Sequence, residues 1–252
     1  MKSGHAQARE HLFPIYSPRA GRKMRVVILF SGGASAAPFM LSSENYVVAG
    51  AVSSNPQASG IQRLEKLGIP VEIFDIREFY GERPITDMER RREYDLELAR
   101  IVSKWQPDVV ACSGYMYILT SSFLGAFPNR ILNVHPADLR ITEGGRRKYA
   151  GLHAVEKQLA CGEKFTRSTI HLMSEDVDHG PILCVSQPLP FENRGPAEQQ
   201  ELMKQKCDGP AYRKTLELLS TGSLALDENS EVYHKRGENW IRGPYVMVNE
   251  WE

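Results

Sequence analysis

From Met24 the chain reads Met-Arg-Val-Val-Ile-Leu-Phe, a nearly unbroken apolar and β-branched run that stops at Ser31-Gly32-Gly33. That pattern predicts a strand buried on both faces, as in a parallel sheet, running into a tight turn. Similar runs recur at 46–52, 71–74, 107–112 and 130–134. Helix-like stretches lie between them at 61–66 and 86–104, and in the longer one Leu96, Leu98, Ile101, Val102 and Trp105 fall near one face. Strand and helix in alternation predict βαβ units. The expected fold is α/β: a doubly wound, mostly parallel open sheet of Rossmann-like kind. Binding sites in such sheets lie beyond the carboxyl ends of the strands.

The pattern changes near residue 150. A helix is expected over 151–162, strands over 168–173 and 182–189 around the turn 175–181, and a helix over 197–206 that resumes at 212–219. Residues 1–22 show no periodicity and read as a flexible N-terminal extension. The main domain is then 23–222, with 223–252 a C-terminal tail that holds a hairpin around Gly237.

Composition adds little to this frame. Of 252 residues 42% are hydrophobic and 25% charged, the range of ordinary globular proteins. Lys plus Arg and Asp plus Glu both count 31, so no overall field argues for nucleic acid or a membrane surface. No apolar run is long enough to span a bilayer, and the first residues lack the apolar core of a secretory signal. The four cysteines form no CxxC pair, and three lie among apolar or small residues, which reads as reduced, buried thiols. A cytoplasmic enzyme or binding protein is expected, with no metal, because no His/Cys/Asp cluster has ligand spacing.

Four segments carry candidate chemistry. The turn containing Gly33, Ala34 and Ser35 either cradles a phosphate on its backbone N–H groups or simply joins strand to helix. After the strand at 107–112, Gly114 is followed by Tyr115, Met116, Tyr117, Ile118 and Leu119, which line a flat apolar pocket for a heterocycle or are ordinary core. In Asn133-Val134-His135-Pro136, period-two alternation puts Asn133 and His135 on one face of a strand end. An amide and an imidazole converging there could polarise a carbonyl and hold the oxyanion formed on nucleophilic addition; a structural histidine is the other reading. Asp176 and Asp178 occupy an acidic turn, where Asx side chains serve turns without chemistry. A carboxylate close to His135 would favour its imidazolium form, and Asp178 is the candidate.

Taken in order, Ser31-Gly32-Gly33, Ser54-Asn55-Pro56, Gly114 to Leu119, Asn133-Val134-His135-Pro136, Gly151-Leu152-His153 and Asp178-His179-Gly180-Pro181 resemble the formyltransferase family that uses 10-formyltetrahydrofolate. The likeness covers roughly residues 24–226 and is greatest to members that formylate phosphoribosylglycinamide in purine synthesis. It implies that Asn133 and His135 hold the formyl oxygen while Asp178 orients water or the imidazole and assists proton transfer. It implies a folate pocket at Met116, Tyr117, Ile118, Leu119 and Val177, and an acceptor phosphate at Ser31 to Ser35. The partners implied are 10-formyltetrahydrofolate as donor co-substrate and a small-molecule amine; a homodimer is left open.

The departures fall on the acceptor side. The first turn reads Ser-Gly-Gly-Ala-Ser-Ala, without the family's second glycine and asparagine. Tyr117 stands where an arginine is common, and Asp208 stands where a glutamate usually meets the acceptor ribose. The loop after Pro136 is about seven residues longer than usual, and its Arg146, Arg147 and Lys148 are either replacement anion contacts or a solvated surface. Amine formylation is thus expected, with the acceptor open. The alternatives are hydrolysis of the formyl-folate and folate binding without turnover; formylation of initiator tRNA would need a basic C-terminal domain larger than the residues after Gly222.

Overall fold

The computed structural model describes residues 11–41 and 43–248. Its centre is an eight-stranded sheet built from β1 (Met24–Phe30), β2 (Tyr46–Ser53), β3 (Val71–Ile73), β4 (Val109–Cys112), β5 (Ile131–His135), β6 (Thr169–Leu172), β7 (Ile182–Val185) and β8 (Tyr245–Val246). The spatial order is β8-β7-β6-β5-β4-β1-β2-β3. All neighbours pair in parallel except β6, which runs antiparallel to both β5 and β7. The mostly parallel, Rossmann-like sheet expected from the apolar runs is therefore present, with one reversed strand.

The alternation within β1 shows why both faces are covered. Val26, Ile28 and Phe30 pack into one core together with Leu64 and the helix Gly209–Ser220. Val27 and Leu29 pack into the other, against Tyr94, Leu98 and Val102 of the helix Met88–Ser103. Asp87 starts that helix by accepting from the Glu89 and Arg90 N–H groups, which would otherwise lack partners. In the same helix Asp95 is fully buried and accepts from the Thr120 N–H (2.6 Å) and hydroxyl (2.8 Å), fixing the chain just after the β4 loop.

Burial pushes the Asp95 carboxyl up to about 6, against the opposing pull of the Thr120 bonds and Arg91. Its folded pKa lies above the unfolded value near 4. Its stabilising contribution is therefore complete below about pH 4 and declines as pH rises toward 6. We expect Asp95→Asn to gain stability relative to the parent between pH 4 and 7, on the order of 2 kcal/mol, in urea unfolding at both pH values. A constant difference would show that the carboxyl titrates normally.

The terminal segments depart from the expected picture. Phe13–Pro14 pairs with Leu224–Leu226, and Tyr16 is buried in the core, so the latter half of the 1–22 segment is docked; residues 1–10 lie outside the described residues. The segment read as a tail carries Leu224–Leu226, a hairpin of Val232–Arg236 with Asn239–Arg242 that turns at Gly237 (φ +60°), and then β8. Its pairing with Leu224–Leu226 and β7 was not visible in a period-two pattern because each strand is only two to five residues long. The loop after β5 forms a further small hairpin, Thr142–Glu143 with Arg146–Arg147.

Candidate active site

The loops after β1, β4 and β5 meet beyond the carboxyl edge of the sheet, where β1 sits between strands that continue in opposite directions, the expected place for a ligand in this architecture. The Ser31 hydroxyl ties the first two together: it bonds Ser54 Oγ (2.7 Å) and accepts from the Met116 N–H (3.1 Å). Gly114, with φ +74°, lets the chain turn there without a Cβ penalty.

A cavity of about 540 Å³ opens at this edge. Met116, Tyr117, Ile118, Leu119, Leu152 and Val177 supply its apolar lining, and Asn133, His135, His171 and Asp178 its polar side. Met116 and Ile118 are exposed to the opening, whereas Leu119 is buried in the core behind it. Tyr117 is half-buried, edge-on to Tyr115, with the Arg91 guanidinium 4.9 Å from its ring centre. An arginine expected at position 117 is thus replaced by an aromatic ring that borrows a cation from the helix below.

Asn133 and His135 are two residues apart on β5, and both line the cavity, as alternation predicts. Asp178 reaches them from the turn between β6 and β7. Its Oδ2 lies 3.1 Å from His135 Nδ1 and accepts from the Gly151 N–H at 2.9 Å. Its Oδ1 lies 3.4 Å from His171 Nε2, which is itself 3.4 Å from Asn133 Nδ2. The groups form a chain from Asn133 through His171 and Asp178 to His135.

The far nitrogen of His135, Nε2, is 2.7 Å from the Tyr149 carbonyl oxygen. Both ring nitrogens therefore face acceptors, and only the imidazolium donates to both. Burial opposes ionisation of Asp178, but hydrogen bonds from His135 and His171, the His135 charge and the Gly151 N–H outweigh it and hold the carboxyl well below the usual carboxylate range. The carboxylate and the imidazole are thus held against one another in a largely buried site.

His171 is the site residue that sequence reading missed. It sits mid-strand on β6, fully buried among apolar residues, and its register opposite Asn133 is the signal that only strand pairing reveals. Its Nδ1 lies 3.0 Å from the Leu172 carbonyl oxygen, and its Nε2 lies between Asn133 Nδ2 and Asp178 Oδ1, 3.4 Å from each.

The expected acceptor residues are placed differently. Gly33, Ala34 and Ser35 belong to the first turn and do not line the cavity. Ala34 is buried with φ +45°, and the Gly33 carbonyl accepts from Arg63 at 2.8 Å. Asp208 is tied down by the Ser168 hydroxyl at 2.5 Å, and burial, opposed by that bond and by the charges of Lys204 and His135, pushes its carboxyl up to about 6. Arg147 and Arg146 do not extend as free anion contacts. Arg147 donates to the Asp178 and Gly180 carbonyls, and Arg146 pairs with Asp176 at 3.5 Å. The inserted loop folds back as a hairpin, which directs both guanidinium groups to the acidic turn.

Among the described residues, no group of three or more His, Cys, Asp or Glu side chains is arranged to hold a metal ion. No helix among them is long and apolar enough to cross a membrane. Cys112, Cys184 and Cys207 are buried, with burial pushing each thiol up to about 12, whereas Cys161 is exposed.

An open, mostly parallel sheet with an amide, an imidazole and a carboxylate at an apolar cavity defines a formyltransferase-type α/β protein. The formyl transferase family profile matches residues 24–205, and the chain belongs to that family. Phosphoribosylglycinamide formyltransferase of Escherichia coli K12 is 26% identical over 213 residues, 82% of this chain and 92% of that protein. The trifunctional purine biosynthetic protein adenosine-3 of Drosophila melanogaster is 27% identical over 215 residues, 81% of this chain. The chain spans only 14% of that protein's length and 20% of its Bos taurus counterpart's. Among solved structures, the phosphoribosylglycinamide formyltransferase of Coxiella burnetii shares the fold with TM-score 0.74 at 21% identity, over 90% of this chain and 100% of that one. The phosphoribosylglycinamide formyltransferase of Bacillus halodurans gives TM-score 0.63 at 28% identity, over 76% of this chain and 93% of that one.

Proposed function

We propose that this protein transfers a formyl group from 10-formyltetrahydrofolate to a primary amine, phosphoribosylglycinamide or a related small molecule. The observation that carries the reading is the chain of contacts at the cavity's polar side, which joins Asn133, His171, Asp178 and His135. The cavity suits the donor: Met116, Ile118 and Val177 offer apolar surface for a flat heterocycle, and the chain from 114 to 119 passes along it. A neutral amine attacking the formyl carbon develops negative charge on the formyl oxygen, which the Asn133 amide stabilises and which His135 stabilises as its Nε2 exchanges the Tyr149 carbonyl for that oxygen. Asp178 orients that imidazole and, through the pair, carries the amine proton toward the leaving nitrogen. The reaction needs no change in oxidation state.

The acceptor side supports an anionic amine. Arg63 brings a cation to the Gly33 carbonyl, next to a turn that lacks the family's asparagine. The deciding assay mixes the protein with 10-formyltetrahydrofolate and a panel of amines, phosphoribosylglycinamide first, and follows loss of the formyl group. Turnover with no amine present would make the protein a hydrolase, and binding of folate with no turnover at all would make it a binding protein. Ile118→Asp, which places a charge on the apolar wall without touching the polar chain, is expected to raise the donor KM by about tenfold or more while kcat changes little. Steady-state kinetics in the donor check this; an unchanged KM would remove the 116–119 stretch from the donor site.

A further inference from the structure

The inserted hairpin after β5 does more than fill surface. Three residues spaced two apart, Arg147, Tyr149 and Gly151, all contact the imidazole–carboxylate pair or the turn that presents it. The Arg147 guanidinium donates to the carbonyl oxygens of Asp178 (2.5 Å) and Gly180 (2.8 Å). The Tyr149 carbonyl accepts from His135 Nε2 at 2.7 Å, and the Gly151 N–H donates to Asp178 Oδ2 at 2.9 Å. One short stretch thus brings a side chain, a backbone carbonyl and a backbone N–H to the same pair and turn.

The stretch is itself anchored. Tyr149 is buried with Ala137 and Ala154, and its hydroxyl donates to Glu163 at 2.5 Å. Lys148 N–H bonds the Ile141 carbonyl, closing the hairpin beyond the left-handed Gly144 and Gly145. What it holds needs holding. Asp178 adopts φ +57°, a left-handed conformation that costs a non-glycine residue about 1–2 kcal/mol. The Asp178 carbonyl accepts from Arg147, whose rigid planar fork bridges it to the carbonyl two residues on.

We infer that Arg147 is a positioning residue: its guanidinium clamps the Asp178–Gly180 backbone so that the Asp178 carboxylate stays against His135. The inference rests on the proposed formyl transfer for its kinetic consequence, but its structural consequence can be read without turnover. Arg147→Met keeps the stem and removes the fork; Arg147→Lys keeps the charge and loses the fixed geometry; Arg100→Met, on an exposed helix face where it pairs with Glu97, serves as control. We expect Arg147→Met to speed amide hydrogen exchange within 174–181 by about tenfold or more and to shift the His135 ring NMR signals, with a melting temperature near the parent's. We expect its kcat to fall about 10- to 100-fold with donor KM changed less than about threefold, Arg147→Lys lying between and Arg100→Met matching the parent.

Unchanged exchange in 174–181 and unchanged His135 signals in both Arg147 variants would overturn the assignment, whatever the activity. If Arg147→Met fails to fold, Arg147→Lys decides by the same two readouts. Absence of formyl transfer by the parent protein would instead count against the proposed function and leave these two readouts to judge the clamp.

Discussion

His135→Ala is expected to lower kcat for formyl transfer by two to three orders of magnitude, about 3–4 kcal/mol of lost oxyanion stabilisation. The size follows from where the ring sits: buried, with Nδ1 3.1 Å from Asp178 and Nε2 2.7 Å from the Tyr149 carbonyl, it is a preorganised group in a site with little water to screen it. Asp178→Asn should cost a comparable amount for a different reason. The amide still accepts one bond and keeps the ring in place, but it brings no negative charge to the pair. Rapid-quench measurement of a single turnover separates this loss from product release. A fall in kcat of less than about fivefold in either variant would remove that residue from the chemistry.

The same pair carries a pH signature. The folded carboxyl of Asp178 titrates below its unfolded value near 4, so its stabilising contribution is present above that pH and is lost as the pH falls through and below it. The parent should therefore lose stability on acidification below pH 4 more steeply than Asp178→Asn.

Gly180→Ala is expected to be the most damaging single methyl in the catalytic turn. A Cβ at that position would sit 1.9 Å from the Leu172 carbonyl oxygen and 3.0 Å from its carbon, both backbone atoms of β6 that have no rotamer to change. The neighbouring Pro181 carbonyl also accepts from the Leu172 N–H, so the two chains run in close register. Relief requires the turn to lift off β6. That movement carries Asp178 away from His171, and overpacking of this kind costs about 3 kcal/mol. Thermal unfolding should show a markedly lowered Tm, and residual activity should fall with it even below the transition. A Tm within a degree or two of the parent would mean that the turn yields more easily than its contacts indicate.

Much of this was legible in the sequence, and the part that was not has a physical cause. The runs at 24–30 and 130–134 announced buried strands because both faces of a covered parallel sheet select apolar residues. Asn133 and His135 shared a face because strands alternate, and Asp178 was singled out by its chemistry. His171 stayed hidden because a lone histidine within an apolar run carries no mark until β6 is laid antiparallel against β5 and faces Asn133. Arg147 stayed open between an anion contact and a solvated surface because charge alone does not say whether a guanidinium meets a ligand or a carbonyl. The strands 13–14, 224–226 and 245–246 were missed because two or three residues form no period; tertiary contacts, not local preference, make them extended.

β8 has a consequence for association. It lies parallel to β7 as the outermost strand, so the hydrogen-bonding groups of β7 on that side are already taken by Tyr245 and Val246. At the opposite margin β3 is only three residues long and carries Glu72, which pairs with Lys104. A short, charged margin at one end and a two-residue cover at the other give a neighbouring copy little to continue. Two such molecules would therefore meet through helices or loops rather than by joining their sheets into one ribbon, and removing residues 245–246 should expose β7 and promote strand-mediated aggregation.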